Sequence, residues 1–162
     1  MNIFYRKYQD QDKKIVQEYA IELCKYVAQF NPLRRESPQA DFAETYIEEM
    51  NQYIQKRQGA IYVATDDDLV VGFCSGYVKD RSKRDLLEFL SKKRGFIADL
   101  YVRPDYQNKG IGSSLLKQTE DYLKGIGYEV ILIDLMSQNI KAHTLYNKLG
   151  FIDNKIEVHK YL

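Results

Sequence analysis

The sequence predicts one α/β domain, a mixed β-sheet flanked by about four helices, with an extra short helix between the third and fourth strands. Three observations predict this class. Helical stripes and short β-rich runs alternate along the 162 residues. A polar loop and a Gly-x-Gly turn join one strand to a helix, and an apolar run at 128–134 is typical of a strand covered on both faces. The length suits a single domain over residues 1–162.

The first part of the chain predicts a strand and two helices. Residues 2–8 are rich in Ile, Phe and Tyr and indicate a strand. Apolar positions between Ile15 and Phe30 follow a helical stripe that Asn31-Pro32 ends. Ser37-Pro38 then supplies an N-cap and a first-turn proline for a second helix, which continues to about Gly59.

A hairpin and an insertion follow. Residues 60–64 and 69–78 predict two strands around a short acidic turn. Residues 79–94 are dense in charge, yet Leu86, Leu87 and Leu90 fall on one face of a short helix. This insertion could cover an acceptor site, form a dimer contact, or be a solvated excursion with one apolar anchor, and the last is the default interpretation.

The stretch from Phe96 to Leu116 carries the strongest functional pattern. A strand at 96–102 ends at Pro104, and a helix begins at or near Gly110. The first turn of that helix has N–H groups without helical partners, and Gly110 and Gly112 leave its backbone accessible. Such a terminus favours an anion, so we expect it to bind a phosphate or pyrophosphate.

Two other phosphate-binding motifs fit the spacing less well. A P-loop needs Lys directly after its second glycine, and none is present here. A dinucleotide-binding turn has an acid about 20 residues later, where Asp134 stands. However, Leu115 occupies the position of its third glycine, and residues 103–109 make the connection too long for a tight turn.

The last part of the chain predicts a strand, a helix and a closing strand. Residues 128–134 form the covered strand, and residues 139–149 form a helix with Gly150 after its end. Asn139, Ala142 and Tyr146 share one face of that helix, so an Asn near its start and a Tyr two turns on could reach one ligand. We expect residues 151–162 to close the sheet as one or two short strands.

Two segments resemble the GNAT superfamily of acyl-CoA-dependent N-acyltransferases. Residues 107–112, Gln-Asn-Lys-Gly-Ile-Gly, match the Gln/Arg-x-x-Gly-x-Gly/Ala signature of that family. Residues 139–151 are similar to its Asn-x-x-Ala-x-x-x-Tyr-x-x-x-Gly-Phe segment. The two motifs occur in the family's order and cover roughly the C-terminal half of the chain.

The resemblance implies a GNAT-like fold and an acetyl-CoA-dependent N-acetyltransferase. Acetyl-CoA would be the co-substrate, no metal would be needed, and a primary amine of a small molecule or peptide would attack the thioester directly. Backbone groups of residues 100–102 would pair with the pantetheine arm, and an N–H there could polarise the thioester carbonyl. The implied cofactor-binding residues are Leu100, Tyr101, Val102, Gln107, Asn108, Lys109, Gly110, Ile111, Gly112, Ser113, Asn139 and Tyr146.

The resemblance also suggests catalytic residues. Tyr146 is the expected acid that protonates or hydrogen-bonds the departing CoA thiolate; an ordinary core tyrosine is the alternative, and the position of Tyr146 in the motif favours the functional role. Relatives often place a Glu base on the central strand, at positions that align with Phe96 and Ala98 here. Asp99 is the nearest acid, but strand alternation predicts that its side chain points away from the face of 96 and 98. Glu44 and Glu48 are weaker candidates.

Composition limits the partners. The formal net charge of +1 does not favour nucleic acid, and no apolar run is long enough to span a membrane or form a signal peptide, so we expect a cytoplasmic protein. Cys24 and Cys74 lack nearby metal-ligand patterns and are expected to be buried thiols. Arg34 and Arg35 could bind a carboxylate of the acceptor, and a homodimer is possible.

Two classes of function therefore remain open at this stage. One is an acetyltransferase, which Tyr146 favours. The other is a module of the same fold that binds acyl-CoA without transferring it, because the strand Glu is missing. A dinucleotide-dependent oxidoreductase is a distant third interpretation.

Overall fold

The computed structural model describes residues 1–31, 33, 38–80, 82–88 and 93–160. In it, a mixed five-stranded sheet has the strand order β1-β2-β3-β4-β5 and carries helices on both faces. The strands are β1 (Ile3–Lys7), β2 (Ala60–Asp66), β3 (Leu69–Val78), β4 (Arg94–Val102) and β5 (Val130–Ile133). The helices are α1 (Lys13–Ala28), α2 (Phe42–Lys56), α3 (Lys83–Glu88), α4 (Ile111–Gly125) and α5 (Ile140–Lys148). The predicted fold class is confirmed.

The first four strands are antiparallel neighbours, and β5 pairs parallel with β4. The parallel pair follows from the β4-α4-β5 crossover, because a helix must carry the chain back before a parallel strand can form. The β2-β3 turn contains Asp67 at φ 49°, a left-handed conformation that Asp tolerates.

Two apolar clusters hold the helices to the sheet. On one face, Val16 and Tyr19 of α1 and Ile47 of α2 pack against Val63 and Phe73 of the sheet. On the opposite face, α4 and α5 pack against residues such as Val71 and Ile97. Along β3, Val70 and Phe73 belong to the first cluster and Val71 and Cys74 to the second, because a β-bulge opposite Ala64 and Thr65 shifts the alternation by one position.

Three glycines allow α4 to lie close to the sheet. A Cβ at Gly76 would lie 2.6 Å from Cγ2 of Thr119, and a Cβ at Gly95 would lie 2.9 Å from Cδ1 of Leu123. A Cβ at Gly72 would lie 3.3 Å from Cδ1 of Leu115, and 2.7 Å from the carbonyl oxygen of Tyr101 on the neighbouring strand. Because the three helix residues are four positions apart, one stripe of α4 rests on a glycine-lined groove.

Three sequence predictions need correction. Helix α2 begins at Phe42 rather than at Ser37-Pro38; Pro38 is not helical, and Ser37 lies outside the described residues, as do Arg34, Arg35 and Leu90. Strand β5 is half-exposed rather than covered on both faces, because it is the last strand of the sheet. Residues 151–160 form no strand, and Ile152, Ile156 and Val158 are more than 80% exposed there.

The insertion between β3 and β4 does contain the predicted short helix, α3. Leu87 is 90% exposed, so this leucine does not serve as the apolar anchor. Instead, an ion pair between Arg94 and Asp85, with 4.0 Å between nitrogen and oxygen, connects α3 to the start of β4. None of the helices in the described residues is long and apolar enough to cross a bilayer.

Candidate active site

The central feature of the site is a gap between β4 and β5. Their parallel pairing ends where Ile97 meets Ile133, and β5 stops there while β4 continues to Val102. On the side of β5, the backbone of residues 98–102 thus loses its strand partner within the described part of the chain. A free strand edge of this kind offers N–H and C=O groups to an extended ligand.

A β-bulge lies at the beginning of this gap. On β3, Ser75 pairs with Asp99 and Gly76 pairs with Ile97, so Ala98 is an extra residue on β4. A bulge shifts the alternation of side chains by one position. Phe96 contacts Tyr77, which stacks on Tyr53 of α2, and Asp99 faces the same helix.

The prediction that Asp99 points away from the face of Phe96 is therefore wrong. The bulge places both side chains on the α2 side of the sheet. Oδ2 of Asp99 accepts hydrogen bonds from Oη of Tyr46 at 2.9 Å and from Oγ of Ser75 at 2.8 Å. Residue Asp99 as a whole is half-buried, and its carboxylate is enclosed by protein.

Burial is the main influence on Asp99 and raises its pKa above the ordinary value of 3.8, although the hydroxyls of Ser75 and Tyr46 act to lower it. The pKa of Tyr46 is raised well above 10, by burial first and then by Asp99. The phenol of Tyr46 therefore stays protonated and holds the carboxylate in position.

The turn before α4 has the conformation expected of an anion site. Asn108 has φ 61° and Gly110 has φ 80°, so left-handed residues recur just before the first helical turn. Alternating backbone of this kind directs successive N–H groups to one side. No atom lies within 4 Å of a Cβ built on Gly110, and a Cβ on Gly112 would only touch Leu100 and Val102 at 3.7 Å. The predicted helix start is confirmed.

Two side chains of the turn bind other parts of the protein. Nε2 of Gln107 donates to the carbonyl of Val102 at 3.0 Å, and Oε1 of Gln107 accepts from Nζ of Lys141 at 2.6 Å. Nζ of Lys109 donates to the carbonyl of Asp105 at 2.8 Å. Gln107 therefore connects β4, the turn and α5. Sequence patterns missed Lys141, because its contact joins residues 34 positions apart.

The side chains of the remaining predicted cofactor-binding residues point to different parts of the molecule. Ile111 is buried in the core, so only its backbone can reach a ligand, whereas Ser113 is half-buried in the first turn. Leu100 and Val102 pack with the α4 cluster. Tyr101 points to the other face, where its hydroxyl donates a hydrogen bond to Glu22. Burial raises the pKa of the Tyr101 phenol. Glu22 was not predicted from sequence.

Helix α5 presents its two motif residues as expected. Asn139 is buried, and its Oδ1 accepts from the backbone N of Ala142 at 3.1 Å, so it caps the helix. Tyr146, 8% exposed, packs its ring against Phe151 at 5.7 Å between centroids. Burial, followed by the nearby Cys74 and Asp99, raises the pKa of Tyr146. The phenol of Tyr146 and the carboxylate of Asp99 therefore lie on opposite faces of the sheet, close enough for Asp99 to influence the phenol electrostatically.

The structure does not support a catalytic role for the other candidate residues. Cys74 is fully buried, and burial raises the pKa of its thiol to about 12, so it is not a nucleophile; Cys24 is half-buried rather than buried. Glu44 and Glu48 are exposed. Nε2 of His143 lies 2.7 Å from Oδ1 of Asp153 at the surface.

A second concavity lies near the end of β4. It has a volume of about 450 Å³ and is lined by residues of α1 and of the 101–105 segment, including Tyr19, Glu22, Tyr101 and Arg103. Its residues are on the α1 face, beyond Asp99 along the strand. The described residues that line this concavity include none from the glycine turn at 107–112 or from α5.

Comparison with known proteins places this geometry in a family. The family model described as "Acetyltransferase (GNAT) family" matches residues 27–151. An aminoglycoside N(6')-acetyltransferase type 1 from Stenotrophomonas maltophilia is 25% identical over 118 residues, covering 72% of this chain and 75% of that protein. An N-alpha-acetyltransferase from Sulfurisphaera tokodaii is 30% identical over 112 residues, covering 68% and 66%.

Solved structures share the fold. AAC(6')-Iy, in complex with the bisubstrate analogue CoA-S-monomethyl-acetylneamine, superimposes with a TM-score of 0.76 at 15% identity, covering 100% of this chain and 99% of that chain. The BH1408 protein from Bacillus halodurans, solved as a mutant, has a TM-score of 0.81 at 18% identity, covering 98% and 99%. Because the family model spans most of the sequence, and the strand gap and glycine turn stand where its motifs lie, this chain is a member of the GNAT acetyltransferase family.

Proposed function

We propose that this protein transfers the acetyl group of acetyl-CoA to a primary amine of a small molecule or peptide, by direct attack within a ternary complex. The observation that carries the proposal is the edge of β4 left free at residues 98–102, whose last carbonyl, that of Val102, accepts a hydrogen bond from Gln107 of the glycine turn before α4. One extended ligand with a phosphate at one end and a thioester at the other would match both features at once.

The residues at the turn fit a pyrophosphate. The open space at Gly110 and the unpaired N–H groups of the first turn of α4 would accept anionic oxygens, and the helix dipole would add to their binding. Lys141, held beside the turn by Gln107, supplies a positive charge. The β4 edge would hydrogen-bond to the pantetheine amides, and one of its N–H groups would polarise the thioester carbonyl.

Acetyl-CoA supplies an activated acyl group, so the protein needs to position the amine and move protons. The phenol of Tyr146 is protonated at neutral pH, since its ordinary pKa of 10 is raised further by burial, and it would donate a proton or a hydrogen bond to the departing thiolate. Asp99, on the other side of the gap, would accept the proton of the amine directly or through a water. Tyr46 and Ser75 would orient that carboxylate.

A panel of candidate amines can identify the class of acceptor. The names of the relatives include aminoglycoside, N-alpha and L-amino acid transferases, so each class of amine belongs in the panel. Thiol release from acetyl-CoA would be followed with aminoglycosides, peptides with a free N-terminus and free amino acids. Acetylation of at least one of these amines is the expected result.

The first test is calorimetric titration with acetyl-CoA, with NADH as the comparison ligand. We expect saturable one-site binding of acetyl-CoA alone, weakened at least about tenfold in Gly112→Glu, because a carboxylate would then face the bound phosphates. Gly112 is a suitable position since a side chain there makes only ordinary contacts. Gly125→Glu is the matched control, at the other end of the same helix and in open space.

Three results would separate the alternatives. No binding of acetyl-CoA, or a preference for NADH, would reject the proposal. Binding without turnover on any amine would favour a binding module that does not catalyse transfer. Equal weakening in Gly112→Glu and Gly125→Glu would show that the phosphates do not sit at the start of α4.

A further inference from the structure

A row of aromatic rings leads away from Asp99 on the α2 face of the sheet. The ring of Tyr77 stacks on that of Tyr53, with 4.3 Å between centroids, and contacts the ring of Phe96 at 5.4 Å. All three residues are half-buried, so part of this aromatic row is open to a ligand. Ser75, which hydrogen-bonds to Asp99, lies two positions before Tyr77, so the row begins about 7 Å along the strand from that contact.

Two cations lie over the end of the aromatic row that is farther from Asp99. Nζ of Lys79, just after β3, lies 4.5 Å from the centroid of the Phe96 ring. The guanidinium carbon of Arg57, at the end of α2, lies 5.2 Å from the centroid of Tyr53 and 5.8 Å from that of Tyr77. Because a cation is attracted to the face of an aromatic ring, the rings help to hold both positive charges in place.

The sign of the charge changes along the aromatic row. Asp99 lies at one end, and Asp134 follows the last residue of β5 at the gap. Burial is the first influence that raises the pKa of the Tyr77 phenol, and Tyr53 is the second. Among the charged groups, Arg57 acts to lower this pKa, whereas Asp99 and Asp134 act to raise it. Tyr77 is therefore within electrostatic reach of both the positive and the negative end.

The insertion between β3 and β4 adds positive charge at the cationic end. Residues 79–94 contain seven basic and three acidic residues, whereas the formal net charge of the whole chain is only +1. The backbone N of Lys79 donates to the carbonyl of Arg94 at 3.2 Å, so the two ends of the insertion meet beside the aromatic row. Lys83 and Lys93 are exposed. A positive field of this kind attracts an anionic group and repels a polycation.

We propose that the acceptor is an amine that also carries a carboxylate or a phosphate. Its amine faces Asp99, and the middle of the molecule packs on the rings of Tyr77 and Phe96. Its anionic group binds Lys79 and Arg57. The spacing of two to four residues along β3 places this anionic group roughly 7–13 Å from the amine. The inference rests on the proposed acetyltransferase function and narrows its substrate class to anionic or zwitterionic amines, because a polycation would bring like charges together.

The test compares short peptides that differ in one charge. Ala-Phe-Glu-amide, Ala-Phe-Gln-amide and Ala-Phe-Lys-amide share a free N-terminus and an aromatic residue, and their third side chain starts about 7 Å from the amine in an extended chain. Calorimetric titration into the protein with excess CoA measures each Kd without turnover. We expect the Glu peptide to bind at least about fivefold more tightly than the Lys peptide, with the Gln peptide between them. A phosphoserine peptide in the same series distinguishes phosphate from carboxylate.

Variants at the cationic end should change this order in opposite directions. Lys79→Glu should make the Lys peptide bind more tightly than the Glu peptide. Asp80→Asn should strengthen binding of the Glu peptide, because Oδ2 of Asp80 lies 3.4 Å from Nε of Arg57 and competes for that cation. Lys124→Glu makes the same charge change at an exposed position of α4, on the opposite face of the sheet, and should leave the order intact.

The outcomes separate this inference from the proposed function. Equal binding of the Glu and Lys peptides, no binding of any peptide, or an order that Lys79→Glu leaves unchanged would each overturn the inference. Thiol release from acetyl-CoA with each peptide is the separate measure of acetyl transfer. Acetylation without a charge preference would keep the transferase and reject the anionic acceptor. A preference that depends on Lys79, without thiol release from any peptide, would keep the anion site and reject the transferase.

Discussion

At the scale of single residues, Tyr146 and Asp99 divide the proposed proton transfers between opposite faces of the sheet. Burial raises the pKa of both groups. The phenol of Tyr146, with an ordinary pKa of 10, is protonated at neutral pH with or without this shift and can donate a hydrogen bond or a proton. The raised pKa of Asp99 makes this carboxylate a stronger base than an exposed one while Tyr46 and Ser75 hold it in place.

Tyr146→Phe removes the proposed acid while keeping the ring. We expect kcat to fall by about two orders of magnitude, the usual range for loss of a general acid, with the Kd for acetyl-CoA nearly unchanged. Steady-state kinetics and calorimetry measure the two quantities. A variant with wild-type kcat would show that the phenol is only part of the core.

Asp99→Asn tests the base and has a consequence for stability. Folding raises the pKa of Asp99 above 3.8, so the protonated form is favoured in the folded protein. This group's contribution to the free energy of unfolding is therefore fully present below pH 3.8 and is lost as pH rises through the folded pKa. At neutral pH we expect Asn, which is neutral and still accepts both hydrogen bonds, to be as stable as Asp or more so, with much lower turnover.

Denaturation curves at several pH values, together with kcat/KM profiles, check both parts of this prediction. The difference in unfolding free energy between the two proteins should grow in favour of Asn as pH increases from acidic to neutral. If Asn were strongly destabilised at neutral pH and fully active, Asp99 would be a structural acid rather than a base.

At the scale of elements, the site depends on how α5 begins. Asn139 caps this helix through Ala142, and Tyr146 lies two turns further along the same face. Asn139→Ala should lower the free energy of unfolding by about 1 kcal/mol, the usual contribution of an N-cap side chain. Chemical denaturation measures this loss. An Asn139→Asp variant retains the acceptor oxygen and should recover most of the stability.

The Lys141–Gln107 contact is a second feature at this scale, because it joins α5 to the turn that precedes α4. The contact is exposed, so its contribution to folding should be small. We expect Lys141→Ala to weaken acetyl-CoA binding several-fold through lost charge near the phosphates, without a change in melting temperature. Binding that does not respond to salt in the native protein would argue against this role.

At the scale of the whole molecule, α4 can approach the sheet only because glycines face it. Gly76→Ala would place a methyl group 2.6 Å from Cγ2 of Thr119, whose hydroxyl is held by the carbonyl of Leu115. We expect a loss of about 1–3 kcal/mol in unfolding free energy from this overpacking. Thr119→Ser removes Cγ2 and keeps the hydroxyl, so the double variant should recover part of that loss in a double-mutant cycle.

Local patterns accounted for the parts of this protein whose structure depends on neighbouring residues. Hydrogen bonds and φ angles within a few positions determine three features. These are the end of β4 before Pro104, the beginning of α4 after Gly110 and the Asn139 cap. Among the described residues up to 149, sequence patterns predicted each α-helix and strand, although some ends differ by a few residues, but not the short 3-10 helices Asp10–Asp12 and Pro104–Tyr106.

Features that arise from pairing between distant segments could not be predicted in this way. The bulge at Ala98 exists only in relation to β3, and it reverses the direction predicted for Asp99. The contact of Lys141 with Gln107 and the hydrogen bond of Tyr46 to Asp99 also join residues far apart in sequence. Residues 151–160 have the alternation of a strand but no strand partner in the described chain, because a strand forms only where an edge is available to pair with it.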